Sequence, residues 1–500
     1  MTLIASIALF FGTGLGLTLC FPGFEKSSLA GRAGFAYLLG VAWIGLFLYT
    51  ASHFGRARLD GPLVFLAAFL PMAAGLGIAV RLLILRRWRE PAVRTRRGAL
   101  QTIGRWGLVF LTILISSAVL ANALTHPLED WDGRMTWAAQ AAFLRDAGTV
   151  DAEILRSPRS FISHPRYPLL MPLVQVAASE AAGSDDERAV RAVYAVFFPA
   201  LLLLVFEAGR RWAGSLAALL IALLLLTVPW IPFDREGGAT GAYSDLPLAC
   251  FFGGGLLLLL RGRPRLSDGV AAGLLLAAAL LTKNEGLPES LTALALAGLG
   301  AGIALLRRRR SGRARLLATA LASILVLGSL GLLVSWRSPI PNRYDESYFE
   351  TFSLSSFAHN LASERPFTTI PVIASRMFSA EAWGLFWWLT PVLFLVAAPS
   401  FRRPPTTLLA VATAVPLLAA WAAYAQVTTA TYYASVTWNR ILLQACVPLF
   451  GLLALAVKRL LTENRDIRDI RDNRDNRDEK SSLSASLIVP GVSDVPDVPS

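Results

Sequence analysis

The chain has little charge and almost no cysteine. Only 16% of its 500 residues are charged, 55% are hydrophobic and the mean hydropathy is +0.54. Those values exclude an ordinary soluble enzyme, whose surface needs more charge. The three cysteines, Cys20, Cys250 and Cys446, all fall inside long apolar runs, which excludes a disulfide framework and a thiolate metal site. The N-terminal MTLIASIALF lacks the basic region of a secretory signal, so it is expected to begin a first span from outside. No internal repeat is evident, and the middles of the apolar runs are nearly free of charge. Both absences count against a secondary transporter or lipid flippase, the alternative membrane function.

What is present is apolar length. A bilayer core takes about 20 apolar residues per helix. Thirteen such runs can be marked, at 2–21, 33–51, 61–80, 106–124, 190–208, 213–231, 244–260, 268–282, 288–306, 316–335, 382–400, 406–424 and 441–457. The fold class expected is therefore an all-α polytopic membrane protein with about 13 transmembrane helices and a large outer loop carrying interfacial helices. The organisation divides into extra N-terminal helices with a basic loop (1–105), a central module with outer loop 125–188 (106–335), a second outer loop with the last spans (336–458), and a tail (459–500). The tail opens on NRDIRDIRDNRDNRDEK and continues rich in Ser, Val and Pro, a composition expected to be disordered.

Arginine gives the orientation. Clusters at Arg81–Arg105, Arg210–Arg211, Arg261–Arg265, Arg307–Arg315 and Arg402–Arg403 all fall on one side of thirteen spans, which marks that side as cytoplasmic. Topology and anionic lipid then account for the +13 net charge, and no nucleic-acid partner is expected. The opposite side receives the polar segments 125–188, 230–243, 282–289, 336–381 and 426–440. Two stretches of the large loop, 134–146 and 167–182, read as helices lying on the membrane surface. The aromatic group Trp383, Phe386, Trp387 and Trp388 reads as an interfacial belt.

Acids, aromatics and His crowd into His126–Pro172, and four motifs recur in order on the outer side: WDGRMTWAAQAAFL, SHPRYPLLMP, AYSDLPLA and LTKNEGLP. Together, over about residues 106–300 and with a weaker echo in WNRILLQACVPL, they resemble the membrane-embedded C-type (GT-C) glycosyltransferases. The closer similarity is to the bacterial dolichyl-phosphate-mannose-protein mannosyltransferase-like branch. The resemblance implies an inverting-type transfer of a sugar from a polyprenyl-phosphate donor to an acceptor hydroxyl on lipid, glycan or protein, at the periplasmic face of a bacterial inner membrane. The chain departs from that pattern in having three additional helices before the acidic loop. It also carries Arg166 where the pattern has an acid, so no catalytic acid is carried over to that position.

The chemistry can be assigned residue by residue. Sugar transfer from a lipid phosphate needs a carboxylate to accept the hydroxyl proton and cations to hold the departing phosphate. Asp132, with Asp130 beside it, is the expected base. Asp245 is a second acid, or an N-cap of the following span. Lys283 and Arg440 stand at headgroup depth as phosphate partners, although Lys283 can instead pair with Glu285, itself a candidate acid. His164 and Tyr167 read first as anchors of an interfacial helix, with acceptor or phosphate contact as the alternative. No cofactor is certain: one or two carboxylates suit a reaction with or without a divalent metal, and a metal, if one takes part, would sit on Asp132 and Asp245. A surface-polysaccharide polymerase or ligase is a third reading, one expected to lean more on outer-loop arginines than on a carboxylate. Reporter fusions test the orientation: alkaline phosphatase joined after Ser160 should be active and one joined after Arg310 inactive, and the reverse pattern would invert every assignment above.

Overall fold

The computed structural model describes residues 4–84, 99–157, 162, 164–234, 236–309, 311–341, 353–400, 404–424, 426–427 and 429–462. The expected disordered tail lies almost wholly outside these residues, as do Arg86–Arg97 of the first basic loop and the pair Arg402–Arg403. Among the described residues every regular element is helical, and each of the thirteen apolar runs forms a helix.

Among the described residues, seven helices are long and apolar enough to cross a bilayer: Leu29–His53, Gly61–Leu83, Thr102–Thr125, Glu187–Trp212, Gly286–Leu306, Ser311–Arg337 and Thr406–Tyr424. An eighth is the pair Ala430–Gln444 and Cys446–Thr462, bent by 58° at the break. The remaining runs give shorter helices, Ala5–Cys20, Ser215–Leu226, Asp245–Leu259, Leu266–Thr282 and Phe386–Ala397, of 16, 12, 15, 17 and 12 residues. Among the described residues, length and composition alone therefore mark seven or eight full spans, and the other runs form the shorter helices.

Three expectations change. The helix Leu170–Ala182 is buried on nearly every side, packed against Ala5–Cys20, Leu29–His53, Gly61–Ile84 and Glu187–Trp212. It is an internal helix and not one lying on the lipid surface, because its apolar residues run around the whole circumference. Trp383, Phe386 and Trp387 are buried, with Trp388 left exposed. Trp383 stacks on Trp230 and Phe386 on Phe450, so most of the supposed belt is core. Finally, most of the segment 426–440 is a helix, Ala430–Gln444, whose polar Tyr432, Tyr433 and Thr437 mask it from a hydropathy reading.

Close helix packing rests on small residues. A Cβ on Gly40 of Leu29–His53 would collide with the Phe10 carbonyl and press on the Gly14 backbone, and one on Gly14 would collide with the Ala36 carbonyl. Backbone approach of this kind is how apolar helices associate where lipid removes the hydrophobic driving force. Gly40→Leu should therefore lower stability by about 1–3 kcal/mol or more, read as a fall in the thermal unfolding midpoint in detergent. An unchanged midpoint would show that the helix pair is not held at this separation.

Candidate active site

The helix Asp245–Leu259 opens with its acid in the first turn, where the positive end of the helix dipole favours a carboxylate. Lys283 follows the end of Leu266–Thr282 in extended conformation. The next helix restarts at once, with the Gly286 amide donating to the Lys283 carbonyl at 3.0 Å. Only glycine fits that restart, since a Cβ at 286 would run into the Ala279 carbonyl. Arg440 and Gln444 lie one turn apart on Ala430–Gln444 and so share a face. Trp383 steadies this helix by donating its ring N–H to Asn439 Oδ1 at 3.0 Å.

These elements meet at Asp245. Its carboxylate is fully buried and accepts from Lys283 Nζ (2.9 Å) and Gln444 Nε2 (3.1 Å) on Oδ1, and from Arg440 Nε (2.9 Å) on Oδ2. Arg440 reaches further, donating Nη1 to Asp132 Oδ2 at 2.9 Å. Its guanidinium lies 4.7 Å over the ring of Tyr243, a favourable cation–π geometry. The Tyr243 hydroxyl in turn faces the Asp132 amide at 3.4 Å. Lys283 also pairs with Glu285 at 3.0 Å. Burial works against the Lys283 ammonium, but Asp245 and Glu285 outweigh it and hold the group above its ordinary value, so it is charged. The gradient of exposure is orderly: the side chain of Asp245 is 0% accessible, Arg440 13% and Asp132 32%.

Five sequence candidates, Asp132, Asp245, Lys283, Glu285 and Arg440, thus form one connected network. Asp245 is not an N-cap, because all three of its side-chain bonds go to distant elements. Asp130 is buried in the turn before Asp132, its carbonyl accepting the Arg134 amide at 2.9 Å. His164 and Tyr167 sit in an adjoining layer. Their rings stack with centroids 4.5 Å apart, and Tyr167 packs on Trp137 at 5.5 Å. That layer is tied to the network by Arg337, which donates to the Arg166 carbonyl (2.7 Å) and to Asn284 Oδ1 (2.5 Å). Between Asp132 and Trp137 the backbone adopts a π-helical turn, Gly133–Ala138, a feature frequent at functional sites.

Sequence reasoning missed Tyr243, Gln444, Arg337 and Glu289. Gln444 was findable, being four residues after Arg440 on an apolar helix. Glu289 is buried, and neither carboxyl oxygen has a hydrogen-bond partner among the described residues. The suggested metal does not fit. The position a dication would need between Asp132 and Asp245 is filled by the Arg440 guanidinium, and Lys283 and Gln444 cover the other Asp245 oxygen, so a metal would face two fixed cations.

No protein-family model and no curated protein matches the chain. Solved structures similar to it include ArnT from Cupriavidus metallidurans in the apo state, with a TM-score of 0.45 and 18% identity over 71% of this chain and 60% of that one. The same protein bound to undecaprenyl phosphate gives 0.46 and 18% over 69% and 60%. The archaeal oligosaccharyltransferase AglB from Archaeoglobus fulgidus, in complex with an inhibitory peptide and a dolichol-phosphate, gives 0.42 and 13% over 74% and 52%. The chain spans about 60% of the length of the first of these.

Removing the buried anion strands two cations. Asp245→Asn should destabilise the fold by about 3–5 kcal/mol, measured as a drop in the unfolding midpoint. A midpoint equal to the parent's would mean that Lys283 and Arg440 do not depend on this carboxylate.

Proposed function

We propose that the protein is a membrane glycosyltransferase that moves a sugar from a polyprenyl-phosphate carrier to an acceptor hydroxyl at the outer, periplasmic face of a bacterial inner membrane. The observation that carries the reading is the Asp132–Arg440 pair: a partly exposed carboxylate bonded to a guanidinium that a buried acid holds in place. A base and an anion-binding cation stand side by side, which is what glycosyl transfer from a lipid phosphate requires.

In this mechanism Asp132 Oδ1, the oxygen not bonded to Arg440, takes the proton of the acceptor hydroxyl. The acceptor oxygen forms its bond to the anomeric carbon as the bond from that carbon to the phosphate oxygen breaks, and the electron pair leaves on polyprenyl phosphate. Arg440 has five N–H donors, of which the bonds to Asp132 and Asp245 use two. The remainder can meet the phosphate, where a fixed charge stabilises the developing negative charge without reorganising. Lys283 has one N–H beyond those given to Asp245 and Glu285 and supplies a second contact. Asp245 acts as the acid that orients both cations. His164 and Tyr167 form the wall on which the acceptor or the sugar ring can stack.

The transferred sugar is a hexose or pentose, and the acceptor a lipid, glycan or protein. Purified protein incubated with a panel of polyprenyl-phosphate sugars should release polyprenyl phosphate with at least one of them. Asp132→Asn keeps the shape but cannot take a proton, so turnover should fall on the order of 100-fold to 10,000-fold while the unfolding midpoint is kept. Near-parental turnover in a folded Asn variant would remove Asp132 as the base.

A further inference from the structure

At the other end of the bundle is a small, partly open pocket of about 60 Å³ between the ends of Gly286–Leu306 and Ser311–Arg337. The helix Gly286–Leu306 has 21 residues, so at 1.5 Å per residue this end lies about 31 Å from the Lys283–Glu285 turn. Three arginines line it, Arg307 and Arg309 exposed and Arg315 half-buried, against an apolar wall that includes Trp212, Ile303 and Leu408. The chain reverses at Arg308, which takes a left-handed conformation (φ 50°). That turn lets the Arg309 amide return to the Ala304 carbonyl at 2.9 Å and brings Arg309 over the helix end.

The charges here are arranged unlike those nearby. Arg210 and Arg211 share the buried Glu207, and Arg261 pairs with Asp268. Among the described residues no carboxylate pairs with Arg307, Arg309 or Arg315. Arg315 Nη2 donates to the Gly262 carbonyl at 3.1 Å, but its Nε is buried without a partner. Like charges gathered at one pocket repel one another, less so where water screens them, and a buried guanidinium donor left unmade is costly. One anion in the cavity would relieve both. The volume holds several water-sized groups, enough for a tetrahedral phosphate, whose oxygens match the planar arginine fork.

We propose that this cavity binds a phosphate group, and that its source is the headgroup of an anionic membrane phospholipid. The apolar wall at the end of the spans selects a lipid over a soluble phosphate, since the acyl chains continue along Ile303 and Leu408 while the headgroup faces the arginines. The inference is independent of the transferase reading.

The test uses full-length protein, delipidated in detergent, with phosphatidylglycerol, phosphatidylcholine and inorganic phosphate as probes, and binding read by native mass spectrometry. Phosphatidylglycerol should bind more tightly than phosphatidylcholine. Arg315→Gln should weaken it roughly ten-fold, the loss of one charge-assisted contact. Gly300→Leu offers a second test that does not remove a charge. A Cβ at 300 would lie 3.8 Å from Arg315 Nη1, so the larger side chain fills the cavity while favouring the helix. It should weaken binding at least as much. Arg313→Gln, an exposed arginine outside the cavity, should leave binding unchanged. If inorganic phosphate at millimolar concentration displaces the lipid, with the same sensitivity to Arg315→Gln and Gly300→Leu, the phosphate site stands and its source is soluble. Equal binding of both lipids, or parental binding by both cavity variants, would overturn the proposal.

Discussion

A carboxylate with no access to solvent depends on hydrogen bonds inside the protein, and Asp245 finds three, from two separate stretches of chain. The turn after Leu266–Thr282 supplies Lys283, and the helix Ala430–Gln444 supplies Arg440 and Gln444. Through Arg440 the same acid sets the place of Asp132 in the loop after Thr102–Thr125. A single desolvated charge therefore fixes the relative positions of segments nearly 200 residues apart. The cost of burying it is offset only when all its donors arrive together, which makes the network an all-or-nothing assembly.

The gradient from buried Asp245 to half-exposed Asp132 divides labour within that assembly. The inner acid is saturated and serves as a rigid support. The outer acid keeps an oxygen free, and the arginine between them is held at two of its nitrogens with its guanidinium over the ring of Tyr243. On the proposed function, preorganisation of this sort would let the cation meet a developing charge without moving.

Much of this was legible in the sequence. Asp132, Asp245, Lys283 and Arg440 stand out because each is an ionisable residue at the edge of an apolar run, where burial is costly and chance retention uncommon. Their pairing was not legible, since contact between Asp132 and Arg440 depends on tertiary packing that spacing cannot express. Hydropathy likewise marked the helices but not their fates. Leu170–Ala182 and Trp383–Trp387 are apolar for the sake of protein neighbours, and a scale of transfer free energy gives lipid-facing and protein-facing residues the same score. The Ala430–Gln444 helix went unread for the opposite reason, being polar on the faces that serve the site.

The short helices bear on the membrane itself. Asp245–Leu259 and Leu266–Thr282, with 15 and 17 residues, extend about 22 and 26 Å, against a hydrocarbon core of about 30 Å. Helices that short leave the bilayer two choices, to thin locally or to let the helix ends stop beneath the headgroups. If both cross the bilayer, the charged network at those ends would lie below the level at which lipid phosphates rest elsewhere. On the proposed function, a long-chain lipid donor would come upon its polar partners from the side, with its tail still in hydrocarbon.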